Sequence, residues 1–394
     1  MILGTGTPRR AADAKSMSTL GRILTFLASL DKLQLGMVLF LSAVGLIFVY
    51  WIGVEAERGT ESFHRHLFWL VIGLAVYVLC ALPDPRRSRI RILAFFVYPV
   101  TVLLLIPVLI PGVGLSVNGA RRWLGFGLLR IQPSEFSKLG LILALSALFS
   151  GTIFDVNRPS GFLTAAGLTL LPFALIVAEP DLGSALVCIP IFLAILFCAG
   201  LKWRYLLCGI ALVALVGGAA VFSEKVVGRS LLSNYQKSRI DTFLHPDADP
   251  TGAGYNVRQA KLAVGSGGVT GKGIGKGVQH PLGYLAKTVA NNDFIFSVIA
   301  EETGFLGALA LLSAYALLFY SVLRTAFVTE ETFGRSLCVG VAALLFTHMF
   351  INIGMNIGVM PVTGLPLPLV SRGGSFTVVA LAALGMVQAV HRHR

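Results

Sequence analysis

Residues 34–53 read QLGMVLFLSAVGLIFVYWIG, twenty consecutive residues without a charged side chain. A bilayer span needs about 20 apolar residues, so this stretch predicts a membrane helix. In lipid such runs must be helical, because backbone groups find no water to bond. The sequence therefore predicts an all-α polytopic membrane protein with ten transmembrane helices and a large extracytoplasmic loop between helices 7 and 8. The spans are expected near 34–53, 67–82, 92–110, 136–150, 162–178, 182–200, 205–222, 294–323, 335–359 and 375–390.

Composition agrees with that prediction. Of 394 residues, 55% are apolar and 13% are charged, whereas a soluble domain has about 25% charged residues. Such a chain cannot cover a water-facing surface with polar groups, and it is too apolar for disorder. The net charge is +13. Because the cations flank apolar runs, a membrane surface and its lipids are the expected partner, and no nucleic acid is expected.

Charge placement predicts the orientation. The short segments on the side of the N-terminus hold sixteen Lys and Arg, and the short segments on the other side hold seven. The long loop 223–293 holds nine more, but long loops follow the charge rule poorly. Since cytoplasmic loops carry the excess of these residues, both termini are expected in the cytoplasm. The predicted domains are a cytoplasmic tail at 1–33, a ten-helix unit at 34–390 that includes the extracytoplasmic loop 223–293, and a cytoplasmic end at 391–394.

Asp293 is the leading candidate for chemistry. It stands at the start of the eighth span, in the sequence Asn291-Asn292-Asp293-Phe294. A carboxylate at the water–lipid boundary suits a general base acting on a lipid-borne substrate. The alternative is an ordinary helix N-cap, which Asn292 would serve equally well.

A cluster of cations opposes the orientation rule, because it falls in one short outer segment. It suggests a site for an anionic group, although contact with lipid headgroups is the alternative. Glu135 and Lys138 lie three residues apart, so they share a helix face. They would form either the charged floor of a cavity or a local ion pair. The cluster consists of Arg121, Arg122, Arg130 and Lys138.

Two further acidic pairs have competing explanations. Glu301 and Glu302 fall within the eighth span, where they suit an ion-coupled transport path or the capping of neighbouring helix ends. Glu179-Pro180-Asp181 falls between two spans, where a turn with Asp181 as N-cap is favoured.

Two loops complete the set of candidates. Residues 265–277 (GSGGVTGKGIGKG) lack Walker A spacing, so we expect either a grip on a lipid diphosphate or a plain linker. Residues 361–374 (PVTGLPLPLVSRGG) contain three prolines and predict a non-helical segment buried against protein, either shaping a groove for an isoprenoid tail or only packing.

Several long motifs, in one order, resemble the SEDS family (shape, elongation, division and sporulation). Together they cover the chain from about 118 to its end, which makes the signal highly specific. They are NGARRWLGFGLLRIQPSEFSK (118–138), AEPDLGSAL (178–186), the run 235–273, NDFIFSVIAEETGFLG (292–307) and NIGMNIGVMPVTGLPLPLVSRGG (352–374).

The resemblance implies a peptidoglycan glycosyltransferase that polymerises lipid II at the outer face of the bacterial cytoplasmic (inner) membrane. It places the essential carboxylate of the family on Asp293 and the polar cavity residues on Glu135 and Lys138. Arg122 corresponds to the arginine that precedes a tryptophan in the family motif. Arg65, Lys272 and Ser371 complete the predicted substrate-binding set. The version of segment 361–374 favours the elongation branch over the division branch. The chain departs from the family at Arg372, where relatives commonly carry Tyr, and in the residues just before Asp293.

The implied partners are a class B penicillin-binding protein transpeptidase, elongation-complex membrane proteins, lipid II and membrane lipids. Mg²⁺ or Mn²⁺ is the one candidate cofactor. Two other hypotheses stay open: a transporter that flips lipid II through Glu301 and Glu302, and a scaffold that recruits wall synthases. The family pattern supports an inverting transfer, with Asp293 as base and the cations offsetting charge on the departing diphosphate.

Overall fold

The computed structural model describes residues 19–55, 60–117, 120–126, 129–151, 154–205, 207–211, 215, 218–219, 234–245, 249, 252–285 and 290–394. Most of the predicted tail 1–33, half of the predicted span 205–222 and parts of the loop 223–293 lie outside these residues. The helices are α1 (Thr19–Ala28), α2 (Lys32–Glu55), α3 (Glu61–Ala81), α4 (Ser88–Leu103), α5 (Ile106–Leu109), α6 (Pro133–Leu148), α7 (Pro159–Ala178), α8 (Leu182–Cys198), α9 (Asn234–Leu244), α10 (Ala253–Ser266), α11 (Ile295–Val328), α12 (Thr332–Asn356) and α13 (Gly374–His393).

Nine of the ten predicted spans coincide with observed helices. Among the described residues, seven helices are long and apolar enough to cross a membrane. The apolar helix α8 is shorter, at 17 residues, and α6 has 16 residues and carries Glu135 and Lys138. The protein is therefore a multi-pass membrane protein, and the count of ten spans stays a prediction.

The helices separate into a buried centre and an apolar rim. Helices α12 and α13 are largely buried, and α13 packs along α3 while α12 packs against α6, α8 and α11. At the rim, Phe96, Leu163 and Phe327 are 63%, 66% and 89% exposed. Such apolar exposure suits lipid contact, since lipid replaces water as the solvent of these faces.

A small β-sheet corrects the all-α prediction. Strands β1 (Gly114–Val117), β2 (Ala120–Phe126) and β3 (Leu129–Ile131) form an antiparallel sheet in the order β1-β2-β3. The sheet lies between α5 and α6, outside the apolar runs. Consecutive strand residues face opposite sides, so Arg121 and Arg122 diverge. Arg121 and Arg130 are exposed, while Arg122 is half-buried.

Helix α11 is interrupted at Gly304, whose φ of 67° and ψ of −163° break the helix. Residues 267–279, which we call the glycine loop, fill the break. The amides of Lys272 and Gly273 donate to the carbonyls of Glu301 and Glu302 at 3.1 and 2.9 Å. On the other side, the amides of Phe305 and Leu306 donate to the glycine loop. The backbone groups that the break exposes are thus bonded.

Candidate active site

Asp293 lies in the turn that leads into α11. The first helical residue is Ile295, and Phe294 is the N-cap, without a side-chain cap bond. Neither Asn292 nor Asp293 therefore caps the helix, so the capping alternative is wrong. The carboxylate lies against the non-helical segment 361–373, where a Cβ built on Gly364 would stand 3.7 Å from Asp293 Oδ2.

Two arginines act on the Asp293 carboxylate. Burial raises the pKa of Asp293 from 3.8 to about 6, and the positive charges of Arg239 and Arg122 oppose that rise. Among the described residues, no hydrogen bond to this carboxylate is seen. Asp293 is therefore ionised at neutral pH and has a pKa near the working range of a general base.

The same two arginines line one cleft. Arg122 and Arg239 border it together with Gln236, Thr363 and residues of α8. The Arg122 guanidinium donates to the Pro180 carbonyl at 2.8 Å and lies 3.5 Å from an Asp181 oxygen. The cleft thus combines two cations with residues 361–363, which directly precede the Gly364 that Asp293 contacts, an arrangement suited to a polyanionic group.

Sequence reasoning missed Arg239. It belongs to α9, a polar helix in the long loop, and donates to the Val362 carbonyl at 3.2 Å. Its only sequence signal was its place in the motif 235–273. The loop between α8 and α11 therefore contributes directly to the candidate site.

Glu135 and Lys138 form the predicted ion pair, at 2.8 Å in the first turns of α6. The Lys138 ammonium also lies 2.9 Å from His348 Nε2, and the His348 ring stacks on Phe376. All three polar side chains are fully buried. The pair is enclosed in the protein, and a contact of Lys138 with phosphate stays a prediction.

Residues 179–181 form the predicted turn. Asp181 accepts from the Ser184 amide as N-cap of α8 and from the Gln132 side chain. Glu179 is fully buried, and neither of its oxygens accepts a hydrogen bond from a described residue. Burial, and secondarily the Asp181 charge, raise the pKa of Glu179 to about 9, against the opposing charge of Arg122. Glu179 is therefore a neutral acid at pH 7.

The segment after α12 is non-helical and mostly buried, as predicted. Ser371 is buried in it: its hydroxyl donates to the Asn292 carbonyl at 2.6 Å and accepts from the Leu367 amide at 2.9 Å. The Arg372 amide donates to the Asn291 carbonyl, and its guanidinium donates to Ser62 Oγ. These contacts fasten the segment to the turn of Asp293 and to α3.

Two predicted site residues have other partners. Arg65 pairs with Glu61 at 2.6 Å, and both side chains are mostly exposed. Lys272, in the glycine loop, pairs with Glu301 of α11 at 2.5 Å. Glu301 also accepts from the Val278 amide at 2.9 Å, and Glu302 accepts from the Gly275 amide at 2.9 Å. The structure brings neither cation beside Asp293, so their substrate contacts stay predictions.

Metal ligands are sparse near Asp293. Within the described ranges, no group of three or more His, Cys, Asp or Glu side chains is arranged to hold a metal ion. Mg²⁺ often uses one or two carboxylates together with substrate phosphates. A divalent cation at this site would therefore depend mainly on phosphate oxygens of a substrate.

Comparisons with known proteins agree with this architecture. Residues 24–394 match the model of the FtsW/RodA/SpoVE cell cycle proteins. The chain is 37% identical over 368 residues to the peptidoglycan glycosyltransferase MrdB of Escherichia coli K12, covering 92% of this chain and 95% of that protein. It is 32% identical over 369 residues to the stage V sporulation protein E of Bacillus subtilis, covering 92% of this chain and 97% of the relative.

Solved structures extend the likeness to the fold. A chain of a peptidoglycan synthase complex that coordinates polymerization and crosslinking is 34% identical, with a TM-score of 0.75, covering 92% of this chain and 98% of that one. The rod shape determining protein RodA of Thermus thermophilus is 31% identical, with a TM-score of 0.67, covering 92% and 97%. These matches in sequence and structure show that the chain belongs to the FtsW/RodA/SpoVE family of cell cycle proteins, the SEDS family.

Proposed function

We propose that the protein is a peptidoglycan glycosyltransferase that polymerises lipid II for cell elongation. The observation that carries this proposal is the Asp293 carboxylate, with its pKa raised to about 6, beside a cleft lined by Arg122 and Arg239. The peptidoglycan glycosyltransferase MrdB, at 37% identity over 92% of this chain, supports the same activity.

In the proposed reaction, Asp293 takes the proton from the 4-hydroxyl of the acceptor sugar as the oxygen attacks the anomeric carbon of the donor. The bond from that carbon to the lipid diphosphate breaks, and the anomeric centre inverts. Diphosphate is a good leaving group, so one carboxylate suffices where a glycosidase needs two. Arg122 and Arg239 offset the negative charge that develops on the departing diphosphate.

A divalent cation, Mg²⁺ or Mn²⁺, would supply further charge neutralisation at the diphosphate. Among the residues that the mechanism uses, Asp293 is the carboxylate that could bind such a cation. Glu135, held by Lys138, is enclosed in its own pair. The need for a cation is tested directly by polymerisation before and after chelation.

The proposed setting is the inner membrane, with both termini in the cytoplasm and Asp293 on the outer face. The distribution of Lys and Arg supports this orientation. The structural match to a chain of a peptidoglycan synthase complex supports a class B penicillin-binding protein as partner. Cross-linking would then belong to that partner, with elongation-complex membrane proteins around the pair.

The test is strand synthesis from fluorescent lipid II by the purified chain, with and without the transpeptidase, resolved on a gel. We expect Asp293→Asn to lower the rate about a thousandfold while the protein stays folded. The matched control is Asp155→Asn, which alters an exposed carboxylate paired with Arg158 and should keep the rate within about twofold. An Asp293→Asn protein as fast as wild type would refute the base assignment, and lipid translocation without polymer would indicate a transporter.

A further inference from the structure

Three consecutive carbonyls hold the turn of Asp293. The Arg372 amide donates to the Asn291 carbonyl at 3.0 Å, and the Ser371 hydroxyl donates to the Asn292 carbonyl at 2.6 Å. The Asp293 carbonyl accepts from two side-chain amides, those of Asn356 at 2.8 Å and Asn352 at 3.2 Å. Every donor comes from the end of α12 or from the segment that follows it.

Asn356 performs a second task. Its Oδ1 accepts from the Ser297 amide at 3.1 Å and from the Ser297 hydroxyl at 2.6 Å. Ser297 is the third residue of α11, a position whose amide is usually capped by a side chain just before the helix. Here the side-chain cap comes from another helix, and the same amide also donates to the Phe294 carbonyl at 3.1 Å.

Both asparagines are fully buried. An amide buried without partners is unfavourable, because it loses its hydrogen bonds with water and gains none in return. Asn352 meets this need with the Asp293 and Leu365 carbonyls, and Asn356 with Asp293, Ser297 and the Asn352 carbonyl. The bonds of the two side chains thus converge on the backbone around Asp293.

A local N-cap would draw the side chain of Asn292 or Asp293 back onto the amides of α11. The cap from Asn356 removes that demand, and the bond to the Asp293 carbonyl fixes the residue from behind. We propose that Asn356, assisted by Asn352, is a positioning residue that caps α11 in place of Asp293 and so keeps the Asp293 carboxylate available at the arginine-lined cleft. This inference rests on the proposed function of Asp293.

The test separates the two tasks of Asn356. Asn356→Ala removes both, Asn356→Asp keeps an acceptor for Ser297 but loses the donor to Asp293, and Asn352→Ala loses one donor and keeps the cap. We expect kcat per folded molecule to fall at least tenfold in Asn356→Ala and Asn356→Asp and about threefold in Asn352→Ala, with KM for lipid II within about twofold of wild type.

The matched control is Gln388→Ala. Gln388 is an equally buried amide that bonds the backbone of Asp31 at 2.8 and 3.1 Å. It lies fourteen residues beyond Gly374 on α13, about 21 Å along the helix. We expect this variant to lose stability and to keep the kcat of its folded fraction.

A pH profile gives a readout that lost stability alone would not move. Once the turn loosens and water reaches the carboxylate, the pKa of Asp293 should fall toward its ordinary value, so the acidic limb of the Asn356→Ala rate should move to lower pH.

The proposal is overturned if both Asn356 variants, or Asn352→Ala when they do not fold, match Gln388→Ala in kcat and in pH profile. If the variants match the control while Asp293→Asn is inactive, only the positioning role is refuted. An active Asp293→Asn protein refutes the proposed function itself.

Discussion

Two acidic sites, one just before helix α11 and one within it, have opposite uses. Asp293 lies just before the helix, its carboxylate without a hydrogen bond from a described residue and beside two arginines. Glu301 and Glu302 lie about 12 Å further along, and their carboxylates bond the glycine loop. A carboxylate thus stabilises the fold where backbone amides and a lysine bind it, and it suits chemistry where it lies near two arginines without such bonds.

The largest expected effect is on stability at the second site. Glu301→Ala should lower the free energy of unfolding by about 3–5 kcal/mol, because it leaves a lysine and backbone amides without their acceptor. Chemical unfolding in detergent measures it. The control is Glu61→Ala, which breaks an exposed pair with Arg65 and should change stability by less than about 1 kcal/mol. Equal effects of the two variants would contradict the structural role of Glu301.

The next effect is on rate at the first site. Arg239→Ala should slow polymerisation about a hundredfold, because one of the two cations for the diphosphate is lost. Arg239→Lys should recover part of the rate, since it keeps the charge without the bidentate fork. Arg158→Ala, which removes an exposed arginine paired with Asp155, controls for net charge. A rate unchanged in Arg239→Ala would remove Arg239 from the site.

The pH dependence of the rate should follow the ionisation of Asp293 alone. With the pKa of Asp293 at about 6, the active carboxylate is lost as pH falls through 6. At pH 5 the rate should be about a tenth of its plateau value. A rate constant from pH 7 down to pH 4.5 would show that this carboxylate is not the base.

The smallest expected effect is a gain in stability when the Asp293 carboxylate is removed, the opposite of the loss expected for Glu301. The folded protein holds Asp293 at a pKa of about 6 against an ordinary 3.8, so ionised Asp293 destabilises the fold above about pH 6. Asn at this position should therefore raise the free energy of unfolding at pH 7 by about 1–2 kcal/mol, and the gain should vanish below about pH 4. Calorimetry at both values tests this, and a loss at pH 7 would contradict it.

The helices were predictable because lipid forces apolar runs to satisfy their own backbone bonds. Gly304 was not recognised as a break, since the apolar run continues across it and the compensating bonds come from a distant loop. The short strands 114–131 carry no long periodic pattern, so the sheet was missed as well.

The candidate site was predictable only in part. Asp293 stood out as a charge at a membrane boundary, and Arg122 as a cation on the unexpected side. Arg239 lies in a polar helix that looks like any solvated segment. Asn356 ends an apolar run, and only its partners in space reveal its contact with α11. Tertiary hydrogen bonds of this kind have no sequence period.

The interruption at Gly304 bears on how the protein is made. The first part of α11 has about ten residues, too few to cross a bilayer by themselves. The glycine loop that completes it was synthesised only some thirty residues earlier, so the two pieces can meet soon after both leave the ribosome. Membrane insertion of this helix then depends on chain outside the apolar run, and hydropathy of the helix alone understates what its assembly requires.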